Sequence, residues 1–180
     1  MINRFLIPVV VFALLAVVLA IGIVHSPEKG LIISPLLGKP APQFALPTLG
    51  NPAQIVRTAD LNGRWYLFNV WGTWCGECRA EHDMLLTVRR SGVVPLVGLD
   101  WKDDDAQALG YLQQLGDPYQ EVAVDHVGQV AIDWGVYGAP ETFLVNPRGI
   151  IVYKHVGALT YDTWTREILP LLPVPARAKS

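Results

Sequence analysis

Residues 65–78, WYLFNVWGTWCGEC, contain a continuous apolar and aromatic run followed directly by two cysteines spaced Cys-x-x-Cys. A short run that is apolar on both faces is typical of a strand buried inside a sheet, so we predict a strand over 65–71. The residues after Cys75 are mostly good helix formers, and Ser91-Gly92 ends that pattern. The stretch therefore predicts a buried strand, a short loop and a helix that begins at Cys75.

Further elements of both kinds follow along the chain. The pattern predicts a short edge strand at 43–46, a helical turn at 58–62, strands at 93–99, 122–124, 142–145 and 150–155, and helices at 104–115, 127–134 and 163–172. The turn sequence NPRG at 146–149 joins the last two strands as a hairpin. This order predicts an α/β fold with a mixed sheet and helices on both faces.

The N-terminus carries a long stretch without charge, from Phe5 to Val24. As a helix, a run of this length covers roughly 30 Å, the thickness of the hydrocarbon core. Arg4 before the run predicts that the N-terminus stays in the cytoplasm. A cleaved signal peptide is the alternative, with VLA at 18–20 as a possible cleavage site, but the apolar run continues beyond it. We favour an uncleaved anchor, and both interpretations export the rest of the chain.

These features divide the 180 residues into five segments. We predict a cytoplasmic N-terminus at 1–4, a transmembrane anchor at 5–24, a proline-rich linker and lead-in at 25–43, one domain at 44–173 and a C-terminal tail at 174–180. The formal net charge is −2, and no basic stripe with interleaved aromatics is present. Nucleic acid is therefore not an expected partner.

The two cysteines, Cys75 and Cys78, are the only ones in the chain. A disulfide that closes so short a loop constrains the unfolded chain little, so it would add little stability. An exported chain permits disulfides, and both facts favour redox chemistry over a structural role. A cysteine at a helix N-terminus meets unpaired N–H groups and the positive end of the helix dipole, which favour the attacking thiolate. We predict that Cys75 is an exposed nucleophile and that Cys78 lies beneath it as the resolving thiol.

A metal site is the main alternative for the cysteine pair. Structural zinc needs four ligands, and the chain has no second cysteine pair. His82 follows Cys78 on the predicted helix, so a Cys-Cys-His set is conceivable. We favour the simpler interpretation of His82 as a solvated helix residue.

The dipeptide between the cysteines, Gly76-Glu77, places a carboxylate near both sulfurs. At about 6 Å, that charge costs the thiolate roughly 0.7 kcal/mol in water and roughly 3 kcal/mol at an effective dielectric constant of 20. The helix terminus offers about 0.3–2 kcal/mol in the opposite direction. The two effects are comparable, so we expect the pKa of Cys75 to be less depressed than in a strongly oxidising enzyme.

Several motifs resemble a known group of proteins. WCGEC at 74–78, directly after a buried strand, is similar to the active site of the thioredoxin superfamily. Taken with GVYGAPETFLV at 135–145, NVWGTWC at 69–75 and CRAEH at 78–82, it resembles the periplasmic thioredoxins of cytochrome c maturation, the CcmG/DsbE family. KDD at 102–104, LGDPY at 115–119 and the N-terminal anchor are similar as well. The resemblance covers essentially the whole chain and implies a thioredoxin-like fold.

The resemblance also implies which residues support the cysteines. Pro140 matches the cis-proline that faces the active-site disulfide in this superfamily, which would leave the Ala139 backbone free to pair with a substrate strand. Glu81 and Glu141 match acidic residues near the family's active site. Without the resemblance, an ordinary trans turn proline would be the simpler interpretation of Pro140, and an exposed helix carboxylate would fit Glu81 equally well.

Two aromatic residues, Trp74 and Tyr137, match residues that line the family's groove, although a core role fits each of them nearly as well. Asn69 occupies the place of a buried Asp in thioredoxins, and this family also tends to have Asn there. Gly76-Glu77 departs from the Pro-Thr dipeptide of the best-known members, which leaves the redox potential open.

By resemblance, the chain is a reductant in the periplasm, anchored in the bacterial inner membrane by a single helix. Its targets would be the haem-binding cysteines of apocytochrome c, or a partner thioredoxin-like or haem-ligation protein. A membrane electron donor of the DsbD/CcdA type would restore the dithiol, and no cofactor is expected because the sulfurs carry both electrons. The alternatives are a general oxidase or isomerase, and a copper chaperone that binds through Cys75, Cys78 and His82.

Overall fold

The computed structural model describes residues 6–24 and 34–173. The predicted cytoplasmic N-terminus at 1–4, residues 25–33 of the linker and the tail at 174–180 lie outside the described residues. The chain divides into two units, Met1–Ile33 and Ser34–Ser180.

The described residues of the first unit form helix α1, over Leu6–Val24. Its sequence is apolar throughout, which fits the helical pattern expected for this stretch. Among the described residues, none of the helices is long and apolar enough to cross a membrane. The transmembrane anchor over 5–24 therefore stays a prediction.

The second unit is built on a seven-stranded mixed sheet. The strands are β1 (Ala45–Thr48), β2 (Asn51–Arg57), β3 (Tyr66–Trp71), β4 (Leu96–Trp101), β5 (Glu121–Asp125), β6 (Glu141–Val145) and β7 (Ile151–Val156). Their order in the sheet is β2-β1-β5-β4-β3-β6-β7. Strands β3, β4 and β5 run parallel, whereas β6 is antiparallel to β3, and β1 is antiparallel to β5.

Helices cover both faces of this sheet, as the sequence predicts. One face packs against α2 (Gly76–Ser91), α3 (Asp105–Leu115) and the C-terminal helical segment at 161–171. The other face packs against α4 (Gln129–Asp133), the 3₁₀ turn Thr58–Leu61 and the lead-in to β1. Strand β3 is buried along its whole length because it lies between both layers.

The lead-in is hydrogen-bonded to the end of the sheet. Gly38 N–H donates to Ile151 O, Ile151 N–H donates to Lys39 O, and Ala41 N–H donates to Gly149 O. Ala41 is buried in the core. Residues 38–41 therefore run beside the start of β7 before the chain enters β1.

Several predicted boundaries differ from the structure. The predicted edge strand at 43–46 corresponds to β1, but β1 lies inside the sheet because β2 pairs with its outer edge. The sequence pattern does not predict β2. Strand β2 begins with polar residues and contains Pro52, so it lacks the pattern of a strand in the sequence. An edge strand nevertheless tolerates proline. The strand predicted at 93–99 is β4 and begins only after Pro95, which has no N–H to donate.

The helix predicted at 127–134 is shorter because Gly128 precedes it in a left-handed conformation, with φ of 83°. The helix predicted at 163–172 begins earlier, because the Thr160 hydroxyl caps it by accepting a hydrogen bond from Thr163 N–H. Its middle contains a π turn, Trp164–Ile168.

Gly98 in β4 is where two large side chains approach the backbone. A Cβ atom there would lie 2.9 Å from Trp71 Nε1 and 3.1 Å from Tyr119 Cγ. Trp71 and Tyr119 stack with ring centroids 5.5 Å apart. Glycine at this position therefore allows the stacked pair to lie flat against the sheet.

We expect Gly98→Ala to destabilise the protein by about 1–3 kcal/mol, because the added methyl group overpacks this contact. Gly110→Ala is the matched control, since a Cβ at Gly110 in α3 meets nothing within 4 Å, and alanine should stabilise the helix by about 0.5–1 kcal/mol. Urea unfolding measures both changes. Equal stability of Gly98→Ala and the wild type would contradict the close approach.

Candidate active site

The two cysteines lie where β3 passes into α2. Cys75 is the residue that caps α2, and its Sγ accepts a hydrogen bond from the Cys78 N–H at 3.1 Å. The two sulfurs are joined by a disulfide. In the reduced protein, the same N–H group and the helix dipole would favour a thiolate at Cys75.

A loop that contains Pro140 covers the disulfide. The Ala139–Pro140 peptide bond is cis, the conformation that the family resemblance implies. Cys75 Sγ lies 3.3 Å from the carbonyl oxygen of Ala139. This contact places backbone of the loop directly beside the predicted nucleophile.

The cysteines differ little in exposure, because Cys75 is 6 % exposed and Cys78 is 3 % exposed. The prediction of an exposed Cys75 is therefore wrong for the disulfide form. The loop at Ala139 packs over its sulfur, so what distinguishes Cys75 is its place at the helix start and beside that loop.

Residues that follow β4 hold the short segment before Cys75. The Asp103 carboxylate accepts hydrogen bonds from both the backbone N–H and the hydroxyl of Thr73. The Trp74 indole N–H donates to the Trp101 carbonyl at 3.1 Å, and the two indole rings meet edge to face. Trp74 nevertheless remains 54 % exposed, so it forms part of the surface around the disulfide.

Gly76 and Glu77 form the exposed first turn of α2. The Glu77 carboxylate therefore lies at the same helix end as Cys75, which is where the sequence places it. Its effect on the Cys75 thiol stays a prediction.

Glu81 is buried one helical turn after Cys78. Its two carboxyl oxygens accept hydrogen bonds from Asn69 Nδ2 at 2.9 Å and from Leu159 N–H at 2.6 Å. Burial raises the pKa of Glu81 from its ordinary value to about 7, although both hydrogen bonds act in the opposite direction. Glu81 can therefore gain or lose a proton near neutral pH, which suits a proton carrier beneath a thiol.

Asn69 connects Glu81 to other buried polar groups. Its Nδ2 also donates to the Thr142 hydroxyl at 3.0 Å, and its Oδ1 accepts from the Tyr119 hydroxyl at 2.6 Å. Burial raises the pKa of Tyr119 well above its ordinary value, so its hydroxyl keeps its proton and remains a donor. Asn69 thus holds Glu81 in place through a hydrogen-bonded network in the core.

A second buried carboxyl, Asp100, lies at the end of β4, next to Trp71 of β3 in the sheet register. Neither of its oxygens has a hydrogen-bond partner among the described residues. Burial, followed by the nearby carboxylates of Asp103 and Asp105, raises the pKa of Asp100 to about 8. Asp100 therefore holds its proton through most of the neutral range.

Glu141, which the resemblance places near the active site, is fully buried at the start of β6. Its carboxylate forms an ion pair with Lys154 Nζ at 2.8 Å and accepts a hydrogen bond from Tyr137 N–H at 3.1 Å. The Tyr137 side chain itself is 59 % exposed. Glu141 therefore holds the loop backbone from inside the core, while the Tyr137 side chain lies on the surface.

The sequence-based interpretation of His82 as a solvated residue is wrong. His82 is buried in α2, its Nε2 lies 2.9 Å from the Gly116 carbonyl oxygen, and its ring packs edge to face on Tyr111. Within the part of the chain that the structure describes, no three His, Cys, Asp or Glu side chains are grouped to hold a metal ion. The role of His82 in the structure is to join α2 to the end of α3.

This arrangement can perform thiol–disulfide exchange. Cys75 has a helix terminus that favours its thiolate, Cys78 lies one turn away in the same helix, and Glu81 provides a carboxyl that titrates near neutrality. The Ala139 carbonyl lies beside Cys75, and its pairing with an extended partner chain stays a prediction. The site brings together Cys75, Cys78, Trp74, Gly76, Glu77, Glu81, Ala139 and Pro140, with Tyr137 in the adjoining loop and Glu141 at the start of β6.

Fold and chemistry together place the chain among the thioredoxin-like thiol–disulfide oxidoreductases. The Redoxin family model matches residues 36–167. A thiol:disulfide interchange protein DsbE from Allochromatium vinosum is 45 % identical over 170 residues, which cover 94 % of this chain and 93 % of that protein. The DsbE of Escherichia coli strain K12 is 42 % identical and covers 92 % of this chain and 91 % of its own length. The chain belongs to the DsbE family.

A solved structure supports the same fold. The crystal structure of a candidate thiol:disulfide interchange protein DsbE from Chlorobium tepidum superposes with a TM-score of 0.59 and 28 % identity. The superposition covers 70 % of this chain and 89 % of that chain. The sequence-based assignment to the CcmG/DsbE family is confirmed.

Sequence reasoning missed several residues of the site. Lys154 was not identified, although a lysine among apolar residues in a strand signals a buried charge when it faces the core. Asp103 lies in the KDD segment at 102–104, but no sequence signal connects it to Thr73. The partnership of Tyr119 with Asn69 depends on two distant segments that meet only in the fold.

We expect Glu81 to titrate with a midpoint near pH 7 in the oxidised protein. Carboxyl ¹³C NMR can follow this titration, and the Glu81→Gln variant assigns the signal by its loss. A midpoint in the ordinary range of glutamate, near 4.5, would contradict the account of the burial of Glu81.

The same raised pKa affects stability. Between about pH 4.5 and pH 7, the folded protein holds a proton at Glu81 that the unfolded chain has released. The contribution of Glu81 to the free energy of unfolding therefore falls as the pH rises through this window, by on the order of 3 kcal/mol. In Glu81→Gln, urea unfolding should show a smaller decrease between pH 5 and pH 8.

Proposed function

We propose that this chain is a membrane-anchored periplasmic reductant of cytochrome c maturation. It would keep the haem-binding cysteines of apocytochrome c reduced, either directly or through a thioredoxin-like or haem-ligation partner protein. A membrane donor of the DsbD/CcdA type would return it to the dithiol form. The relatives' own designation, thiol:disulfide interchange protein DsbE, supports the chemistry, and the finer role rests on the sequence resemblance.

The observation that carries the reducing direction is the pair of carboxyl groups on α2 near the disulfide. Glu81 is buried beneath the helix start, and Glu77 lies in its first exposed turn. Strong oxidants are those whose reduced form is stabilised, and the reduced form contains the thiolate. The Glu77 carboxylate at the same helix end as Cys75, and Glu81 when it is ionised, oppose that thiolate. This favours the disulfide and makes the dithiol a better reductant.

The reaction then proceeds in two exchange steps. The Cys75 thiolate attacks one sulfur of a partner disulfide, forming a mixed disulfide as the other partner sulfur leaves as a thiolate. The Cys78 thiolate next attacks Cys75 Sγ, and the second partner sulfur leaves. Two electrons pass to the partner and the Cys75–Cys78 disulfide remains. Glu81 would take the proton that Cys78 releases before its attack.

Membrane anchoring is supported by the uncharged stretch from Phe5 to Val24. The side chains of Ile7, Phe12 and Leu14 in α1 are exposed, as lipid-facing residues would be. With Arg4 before this stretch, the second unit would lie in the periplasm of a bacterium.

The reduced protein should reduce a peptide that carries the sequence Cys-x-x-Cys-His as an intramolecular disulfide. Its midpoint potential, measured by equilibration with glutathione, should lie well below that of a strong oxidant. A potential near −120 mV would instead indicate an oxidase and overturn the reductant role.

Two variants serve as controls for this measurement. Cys75→Ser should abolish peptide reduction. Glu77→Gln should raise the potential, because it removes a charge that opposes the thiolate. An unchanged potential and an unchanged thiol pKa in Glu77→Gln would show that this carboxylate does not control the site.

A further inference from the structure

Lys154 is a charged side chain inside the second unit. It lies in β7 opposite Phe143 of β6, and its side chain is only 6 % exposed. A buried ammonium group is costly unless its charge and its hydrogen-bond donors are satisfied. The neighbours of Lys154 therefore indicate why it is there.

The neighbours of Lys154 lie either in the 135–140 loop that covers the disulfide or in β6, which follows that loop. Lys154 Nζ lies 2.8 Å from the Glu141 carboxylate and donates to the Gly135 carbonyl, also at 2.8 Å. The ammonium lies 5.0 Å from the ring centroid of Tyr137 and 5.1 Å from that of Phe143. One side chain thus contacts the start of the loop, its middle and its end.

Glu141 completes this attachment from the other side. Its second carboxyl oxygen accepts the Tyr137 N–H, so Lys154 and Glu141 together fix both Gly135 and Tyr137 relative to the sheet. Ala139, whose carbonyl lies beside Cys75 Sγ, is in the segment between these points. The position of its backbone therefore depends on the ion pair.

We propose that Lys154 is a positioning residue that holds the 135–140 loop ready to receive an extended polypeptide beside Cys75. The inference rests on the proposed function, because it concerns the same exchange reaction. A protein or peptide disulfide must pair with the loop backbone, whereas a small disulfide needs only access to the sulfur. The ion pair thus selects polypeptide disulfides over small ones without contacting either sulfur.

The experiment compares two substrates in the reduced full-length protein in detergent. One is a peptide with an intramolecular Cys-x-x-Cys disulfide, and the other is oxidised glutathione. Acid quenching followed by thiol alkylation gives the rate for each across a range of concentrations. The midpoint potential is measured in parallel.

Lys154→Met should lower kcat/KM for the peptide about tenfold, mainly by raising KM, while the rate with oxidised glutathione changes less than about twofold. The midpoint potential should change little, because the start of α2 and the carboxyl groups of Glu77 and Glu81 on that helix stay in place. Lys154→Arg should restore most of the peptide rate, since it keeps the charge. Lys39→Met is the matched control at an exposed lysine and should behave as the wild type.

Removing one partner of a buried ion pair can prevent folding, so circular dichroism is recorded for each variant. If Lys154→Met does not fold, Glu141→Gln tests the same attachment, because it removes the ion pair and keeps an oxygen for Tyr137 N–H. The same selective loss of the peptide rate is then expected.

Equal losses for both substrates, no loss for either, or a shifted potential would overturn the positioning role of Lys154. Failure of the proposed function has a different outcome, because the wild type itself would then not reduce the peptide. The two failures are therefore distinguishable in the same assay.

Discussion

The hydrogen bond from the Cys78 N–H to Cys75 Sγ is the interaction on which the rest of the site depends. It exists because β3 ends directly before α2, so the first free N–H groups of the helix face a sulfur. Strand β3 is fixed in turn by burial along its whole length. A neutral hydrogen bond is worth about 1 kcal/mol, but a charged acceptor strengthens it, so its effect is largest on the reduced thiolate.

Two buried acidic groups modify this simple arrangement in different ways. Glu81 is held by Asn69 and Leu159 and titrates near neutrality, so it is suited to move a proton. Glu141 forms an ion pair with Lys154 and accepts a hydrogen bond from Tyr137 N–H, so it stabilises the loop. The family pattern describes both as acidic residues near the active site, yet their surroundings give them separate tasks. Burial raises the pKa of Glu81, whereas the ion pair with Lys154 joins Glu141 to β7.

Much of the fold could be predicted from the sequence, because apolar runs such as 65–71 indicate buried strands and stop signals such as Ser91-Gly92 indicate where helices end. The edge strand β2 was missed because an exposed strand with a proline lacks the apolar pattern. At the site, the redox role of the cysteine pair followed from spacing and compartment, and its helix followed from the helix-forming residues after Cys75. The ion pair of Lys154 and the burial of His82 did not, because each depends on a partner far away in the sequence.

The central claim is that Cys75 attacks partner disulfides and Cys78 resolves the mixed disulfide. The most direct measurement is trapping, in which Cys78→Ser and Cys75→Ser variants of the full-length protein are expressed separately and examined after acid quenching. The account predicts that Cys78→Ser accumulates mixed disulfides through Cys75, with cytochrome c maturation proteins among the partners, and that Cys75→Ser accumulates few. Accumulation on Cys75→Ser instead would contradict the assignment of the nucleophile.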